Sequence, residues 1–265
     1  MFVGIDDIIA CVKEMAPEEL AEPWDNCGLI IDSDNRVTEN VIACLDVTPE
    51  VVGEAVAARA GLIISHHPLI FKPIKSIGGG YGRDLAIREL IRNDVALYSA
   101  HTNVDKTYGG LNDLLAGIIG IEIPPPGGDG GPLSCYRIGD LPRGYTADEF
   151  NNFVMARLKL EALTVSADNR RRPATVRRVA VTCGSYGLGA EFLINAGADA
   201  LLCGEIKYHD ALDLSAAGVY IIQAGHHETE RFFISLITKW INDRLPDIRV
   251  TGVGFSDSPM EIYGG

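Results

Sequence analysis

The 265-residue sequence contains no apolar run near the roughly 18 residues that cross a bilayer. Its longest runs, such as 41–45 and 200–203, have the length of strands. Positive charge is in deficit: 23 Lys and Arg stand against 36 Asp and Glu, a formal net charge of −13. That balance argues against a protein gripping a nucleic-acid backbone with a basic face. Cys-x-x-Cys pairs are absent. Cys11, Cys27, Cys44, Cys135, Cys183 and Cys203 are scattered, mostly in apolar runs, and read as buried thiols rather than a disulfide framework. The glycine run 78–80 is not followed by the Gly-Lys-Ser/Thr of a phosphate-binding Walker loop, and reads as a loop or lid. No Gly-x-Ser-x-Gly elbow appears, which disfavours a serine hydrolase. The opening residues lack the basic-then-apolar pattern of a signal peptide, so a cytoplasmic protein without membrane attachment is expected. What is present, at 47% hydrophobic and 22% charged, is the composition of a folded chain of one large or two small domains.

Short β-rich runs alternate with helical patterns, which predicts an α/β fold with mostly parallel sheets. Helical spacing is expected over 5–16, 49–59, 83–93, 110–120, 188–196, 208–217 and 228–243. Strands are expected at 41–47, 61–65, 95–100, 176–182, 198–203 and 219–224, with a shorter β-α-β segment over 133–167. The breaker cluster 124–132, rich in Pro and Gly, predicts a linker between an α/β half 1–123 and a second α/β half 133–265. The stretches 95–101 and 219–226 both run from a strand into a turn bearing a histidine, so the halves read as related.

The polar chemistry is concentrated. His66, His67, His101, His209, His226 and His227 are all six histidines of the chain, and all fall just after expected strands. Open α/β sheets bind their ligands beyond the carboxyl ends of strands. Taken singly, a His-His pair at a strand end or a His–Glu pair at a helix start is ordinary; six of six is not. Imidazoles with carboxylates and no thiolate suit Zn, Fe, Mn or Ni. His226 and Glu230, at i and i+4, share one helical face. Adjacent His66 and His67 point apart, which suits two ions about 3.5–4 Å apart, with Asp105 as a bridge. Lys207 and His209 follow a strand end and suit phosphate binding or acid–base work. Trp24 and Asn26 are candidates for lining the pocket.

At this point the sequence resembles a known family. The segments 24–29 (Trp24-Asp25-Asn26-Cys27-Gly28-Leu29), 45–50, 64–71 (around His66-His67-Pro68), 99–105, 109–113, 204–210 and 224–230 (around Gly225-His226 and Glu230) are similar, in order, to the Nif-three-like dinuclear metal-centre proteins. Those proteins are often labelled GTP cyclohydrolase I type 2. The resemblance implies two adjacent metals held by His66, His67, Asp105, His226 and Glu230, with His101 beside them. It also implies a ring-like homohexamer whose metal sites face an internal cavity. The family usually has Asp where Glu205 stands. The loop 183–187 and the ending 256–260 also depart from its pattern, and longer members insert an extra domain mid-chain.

Three functions are compatible with this ligand set. The first is a metal-dependent hydrolase in which acidified water attacks a phosphoester, nucleotide or purine ring, with His101 or His209 moving protons. The second is an iron carrier or insertion factor for cofactor assembly. The third is a hexameric scaffold stabilised by metals. Two divalent ions would leave the pocket slightly positive inside an acidic chain, so a small anionic substrate remains compatible with the composition.

Overall fold

The computed structural model describes residues 2–121, 134–166, 172–254 and 258; the expected linker 124–132 and most of the ending 256–260 lie outside the described residues. The chain forms two compact units, Met1–Gly110 with Arg231–Asp257, and Leu111–Glu230 with Ser258–Gly265.

In the first unit a five-stranded sheet runs in the order Arg249–Gly252, Asn40–Cys44, Leu62–Ser65, Ala96–Ser99, Gly28–Ile31. All neighbours are parallel except the last pair. The central strands Asn40–Cys44, Leu62–Ser65 and Ala96–Ser99 are buried almost throughout, as strands covered on both faces must be. Helix Pro49–Ala57 starts where expected: Thr48 caps it by accepting from Val51 N, and proline fills its first turn. Together with helix Gly82–Arg92 it encloses a core built on Ile42, Ile63, Ile87, Leu90 and Leu97.

The second unit repeats the plan in the order Arg137–Tyr145, Val176–Val181, Ala200–Cys203, Tyr220–Gln223, Thr164–Val165. Its three central strands are parallel and both edge strands antiparallel. Strands 96–99 and 220–223 hold equivalent places, each last in a parallel run and flanked by an antiparallel edge. The relatedness read from 95–101 and 219–226 therefore has a structural counterpart.

The units part at Gly110/Leu111 and Glu230/Arg231, so they do not coincide with the halves 1–123 and 133–265. The physical reason is the tail. The single helix expected over 228–243 is two helices, His226–Glu230 and Phe232–Arg244, divided at Arg231. The second packs on helix Ile5–Met15, where Trp240 Nε1 donates to Cys11 O at 2.8 Å. The strand that follows, Arg249–Gly252, extends the first sheet by pairing with Asn40–Cys44. All six thiols are free, and four are buried. Among the described residues no helix is long and apolar enough to cross a membrane.

The fully buried Ile241 anchors the returning helix. Ile241→Ala should destabilise the protein by about 2–5 kcal/mol, read as a lower urea midpoint at unchanged slope.

Candidate metal centre

In the first unit the site is built at the carboxyl ends of three parallel strands. After Ser65 the chain keeps its parallel pairing for two more residues, with His66 N donating to Cys44 O (3.1 Å) and His67 N to Leu45 O (3.0 Å). This fixes the backbone of both histidines and sends their rings in different directions, 5.0 Å apart between centroids. His66 is fully buried, under the ring of Phe233 at 4.9 Å, so the returning tail helix roofs it. His101 follows the next strand and starts the short helix Thr102–Lys106, which sequence periodicity did not reveal. That helix buries Thr102, Asn103 and Asp105. Two polar tethers hold it against the end of helix Ile5–Met15: Asn103 Nδ2 donates to Ala16 O (2.7 Å) and Thr107 Oγ1 to Met15 O (2.7 Å). Asp105 Oδ1 lies 3.8 Å from His66 Nε2.

His66, His67 and His101 each offer one ring nitrogen, all within 4.8 Å of one another, a group that could hold a metal ion. Each Nδ1 is already committed. His66 Nδ1 meets Ala100 O at 3.0 Å, His67 Nδ1 meets Asp46 Oδ1 at 2.9 Å, and His101 Nδ1 meets Asp25 Oδ1 at 2.8 Å. An acceptor on Nδ1 fixes the tautomer and turns Nε2 into the donor to an ion, the arrangement metal-ligating histidines almost always show. The donor set is nitrogen and carboxylate without sulfur, and fits a divalent ion of the Zn, Fe, Mn or Ni type.

Asp25 is the residue the sequence reading undervalued. Its side chain is fully buried. Besides His101 it accepts from Thr102 N (3.1 Å), Thr102 Oγ1, Asn26 N (2.8 Å) and Cys27 Sγ (3.1 Å). Burial alone would raise its pKa, but the hydrogen bond and charge of His101, with Thr102 and Cys27, hold the carboxyl well below its ordinary range. The same carboxylate, after burial, helps push the Cys27 thiol up to about 12. Its neighbours meet the solvent. Trp24 is 60% exposed, edge-on to Phe71 (5.8 Å) and to His101 (6.5 Å). Asn26 spends its amide on Ile70 O at 2.6 Å, tying the 24–27 loop to the 68–71 loop.

In the second unit, His226 and Glu230 lie on one face of helix His226–Glu230, with Nε2 to Oε2 at 3.0 Å. His226 Nδ1 meets Glu205 Oε1 at 3.2 Å, so the longer side chain at 205 does reach the histidine. Ser185 Oγ donates to the same carboxylate, and this, despite partial burial and together with His226, lowers the Glu205 pKa. The loop 183–187 fits closely because it carries glycine. A Cβ on Gly184 would stand 2.1 Å from Glu230 Oε1 and 3.2 Å from His226 Nε2, at a φ of +58°. One on Gly204 would stand 2.6 Å from Gly184 O. Lys207 and His209, both exposed, open helix Tyr208–Ala216, and His209 meets the Tyr208 ring edge-on at 5.5 Å.

The family model for Duf34/NIF3 (NGG1p interacting factor 3) matches residues 3–259. A Clostridium perfringens protein named GTP cyclohydrolase 1 type 2 homolog is 31% identical over 91% of this chain and 92% of its own length. A Helicobacter pylori protein named GTP cyclohydrolase 1 type 2 is 29% identical over 89% and 90%. A solved Bacillus cereus protein related to NIF3 shares the fold, with a TM-score of 0.87 at 24% identity over 98% of this chain and 99% of that one.

Two outcomes test the site. Gly184→Ala should displace the Glu230 carboxylate, giving native circular dichroism with reduced metal content by elemental analysis. The second concerns acid. Asp25 is ionised in the folded state below its usual range, so on acidification the unfolded chain binds its proton first. Its stabilisation is therefore complete above about pH 4 and is lost as the pH falls through the folded value. In metal-stripped protein, unfolding free energy should fall more steeply with falling pH for wild type than for Asp25→Asn, as urea midpoints report.

Proposed function

This chain belongs to the Duf34/NIF3 family, and from that premise we propose that it is a dinuclear metal-dependent hydrolase acting on a small anionic substrate. The ligands in this reading are those the family resemblance implies: His66, His67, Asp105, His226 and Glu230. The observation that carries the reading is the triple commitment of Nδ1 at His66, His67 and His101 beside a shared cluster of ring nitrogens. Divalent ions held there supply Lewis acidity, acidifying water and offsetting substrate charge. The residues supply the rest. His66, roofed by Phe233, is the rigid ligand. His101 is the proton carrier: Nε2 accepts a proton from the attacking water and returns it to the leaving atom, while the Asp25 carboxylate stabilises the transient imidazolium.

The substrate class is a phosphoester, a nucleotide or a purine-ring compound. The exposed rings of Trp24 and Phe71 stand beside His101 and suit the face or edge of a planar ring. Lys207 and His209 are the cationic and hydrogen-bonding groups for its anionic part. GTP cyclohydrolysis, the activity named for the relatives, is the narrowest form of this proposal. The assembly proposed with it is a homohexamer.

Protein purified without added metal should carry two divalent ions per chain by elemental analysis, and the double variant His66→Ala/His67→Ala should lose them. Metal-loaded protein should turn over at least one member of a panel of GTP, other nucleotides and phosphoesters. His101→Gln should lower kcat by about 10²–10⁴-fold at unchanged metal content, and Trp24→Ala should raise KM. Absence of turnover across the panel, with metal passing to a chelator or an apo-acceptor, would replace catalysis by metal delivery. Light scattering gives the assembly: a hexameric mass is expected.

A further inference from the structure

The Asp25–His101 pair carries an inference that no family name contains. We propose that Asp25 is a positioning residue: it holds the proton of His101 on Nδ1 and thereby leaves Nε2, turned toward the cluster, as the proton acceptor. The role assigned to His101 rests on the hydrolase reading; the tautomer does not.

The geometry separates the two oxygens of Asp25. Oδ2 accepts from Thr102 N, Thr102 Oγ1 and Cys27 Sγ. Thr102 Oγ1 in turn accepts from Glu22 N at 2.9 Å, which leaves its own proton for Asp25. Oδ1 accepts from Asn26 N and faces His101 Nδ1 at 2.8 Å. Every neighbour of the carboxylate is thus a donor, and an acceptor-only group fills the position. His101 conforms by presenting Nδ1–H. The burial of Asp25 strengthens the pair, because no water competes for the carboxylate. His101 itself is only partly buried, with its ring edge-on to His66 (5.1 Å) and to His67 (5.5 Å). The same side chain therefore has one nitrogen fixed inside the protein and the other turned to the cluster.

A purely structural account is available: Asp25 could serve only to pin the 22–27 loop to the first turn of helix 102–106. The two accounts differ in what asparagine does. An amide nitrogen in place of Oδ2 would face the Thr102 backbone donor and lose the Thr102 hydroxyl bond as well. In place of Oδ1 it loses only Asn26 N. The amide therefore settles with its nitrogen toward His101, donates to Nδ1, and forces the proton onto Nε2. The same inversion by an Asp-to-Asn change is known from serine-protease triads.

The test is solid-state nitrogen NMR of zinc-loaded protein labelled with ¹⁵N-histidine, with the His101 signals assigned by their loss in His101→Gln. Wild type should show a protonated Nδ1 and an unprotonated Nε2, and Asp25→Asn should exchange the two. Thr102→Val, which removes a pin on Asp25 but not the pair, should lower the urea midpoint and leave the tautomer unchanged. A wild-type proton on Nε2 overturns the proposal, and that spectrum needs no variant to fold. An Asp25→Asn protein that loses stability yet keeps the wild-type pattern overturns it in favour of the pin. None of these readings requires turnover, so the failure of the hydrolase proposal would leave the result standing.

Discussion

An imidazole can serve a metal or a reacting atom only when its other nitrogen is spoken for. Otherwise the ring rotates, exchanges tautomers and spends part of its population with the wrong nitrogen forward. That constraint organises this protein. Four histidines have Nδ1 held by four different acceptors: the backbone carbonyl of Ala100, the exposed carboxylate of Asp46, the buried carboxylate of Asp25 and the part-exposed carboxylate of Glu205. Three of those acceptors lie just beyond parallel strands: Ala100 follows Ala96–Ser99, Asp46 follows Asn40–Cys44 two places along the same sheet, and Glu205 follows a central strand of the second sheet.

The acceptors differ in strength, and the difference sorts the histidines. A carbonyl orients His66 without adding charge, and the ring is fully buried under Phe233. A buried carboxylate stands behind His101 instead and meets its Nδ1 at 2.8 Å. Two imidazoles whose rings lie 5.1 Å apart are thereby prepared for different work by what stands behind them. Within the second unit glycine permits a close fit: at Gly184 and Gly204 the backbone approaches the His226–Glu230 helix more closely than any side chain would permit.

Much of this was legible in the sequence. Apolar runs gave the central strands, and the position of every histidine after such a run pointed to the sheet's carboxyl edge. The helix over 49–59 was readable from Thr48-Pro49, because capping chemistry is local. What could not be read is non-local. His101 finds its carboxylate 76 residues away, and His67 and His226 find theirs 21 residues away. No periodicity reports such pairings. Asp25 has no local signature of its role, because the ring it holds is that of a residue far along the chain. The helix Thr102–Lys106 has no apolar periodicity because, Val104 apart, its buried side chains are polar, with Asn103 and Thr102 satisfied by Ala16 O and Asp25. The break at Arg231 leaves no local mark, because His226–Glu230 carries no apolar residue whose spacing could register a separate helix.

The tail also shows why the site is integral to the fold. A metal cluster on mobile loops would have to order itself at each binding event, and its ligands would have to forfeit rotamer freedom. Here the ring that covers His66 belongs to a helix anchored at its other end by Trp240 on Cys11 O and extended by a strand in the same sheet that carries His66. The helix bearing Asp105 is tethered at Ala16 and Met15, on the element against which that tail helix packs. Sheet, tail and short helix therefore close one circuit around the cluster. The clustered side chains are ordered by packing that the fold requires in any case, so the free energy of binding an ion there would not be spent on assembling them.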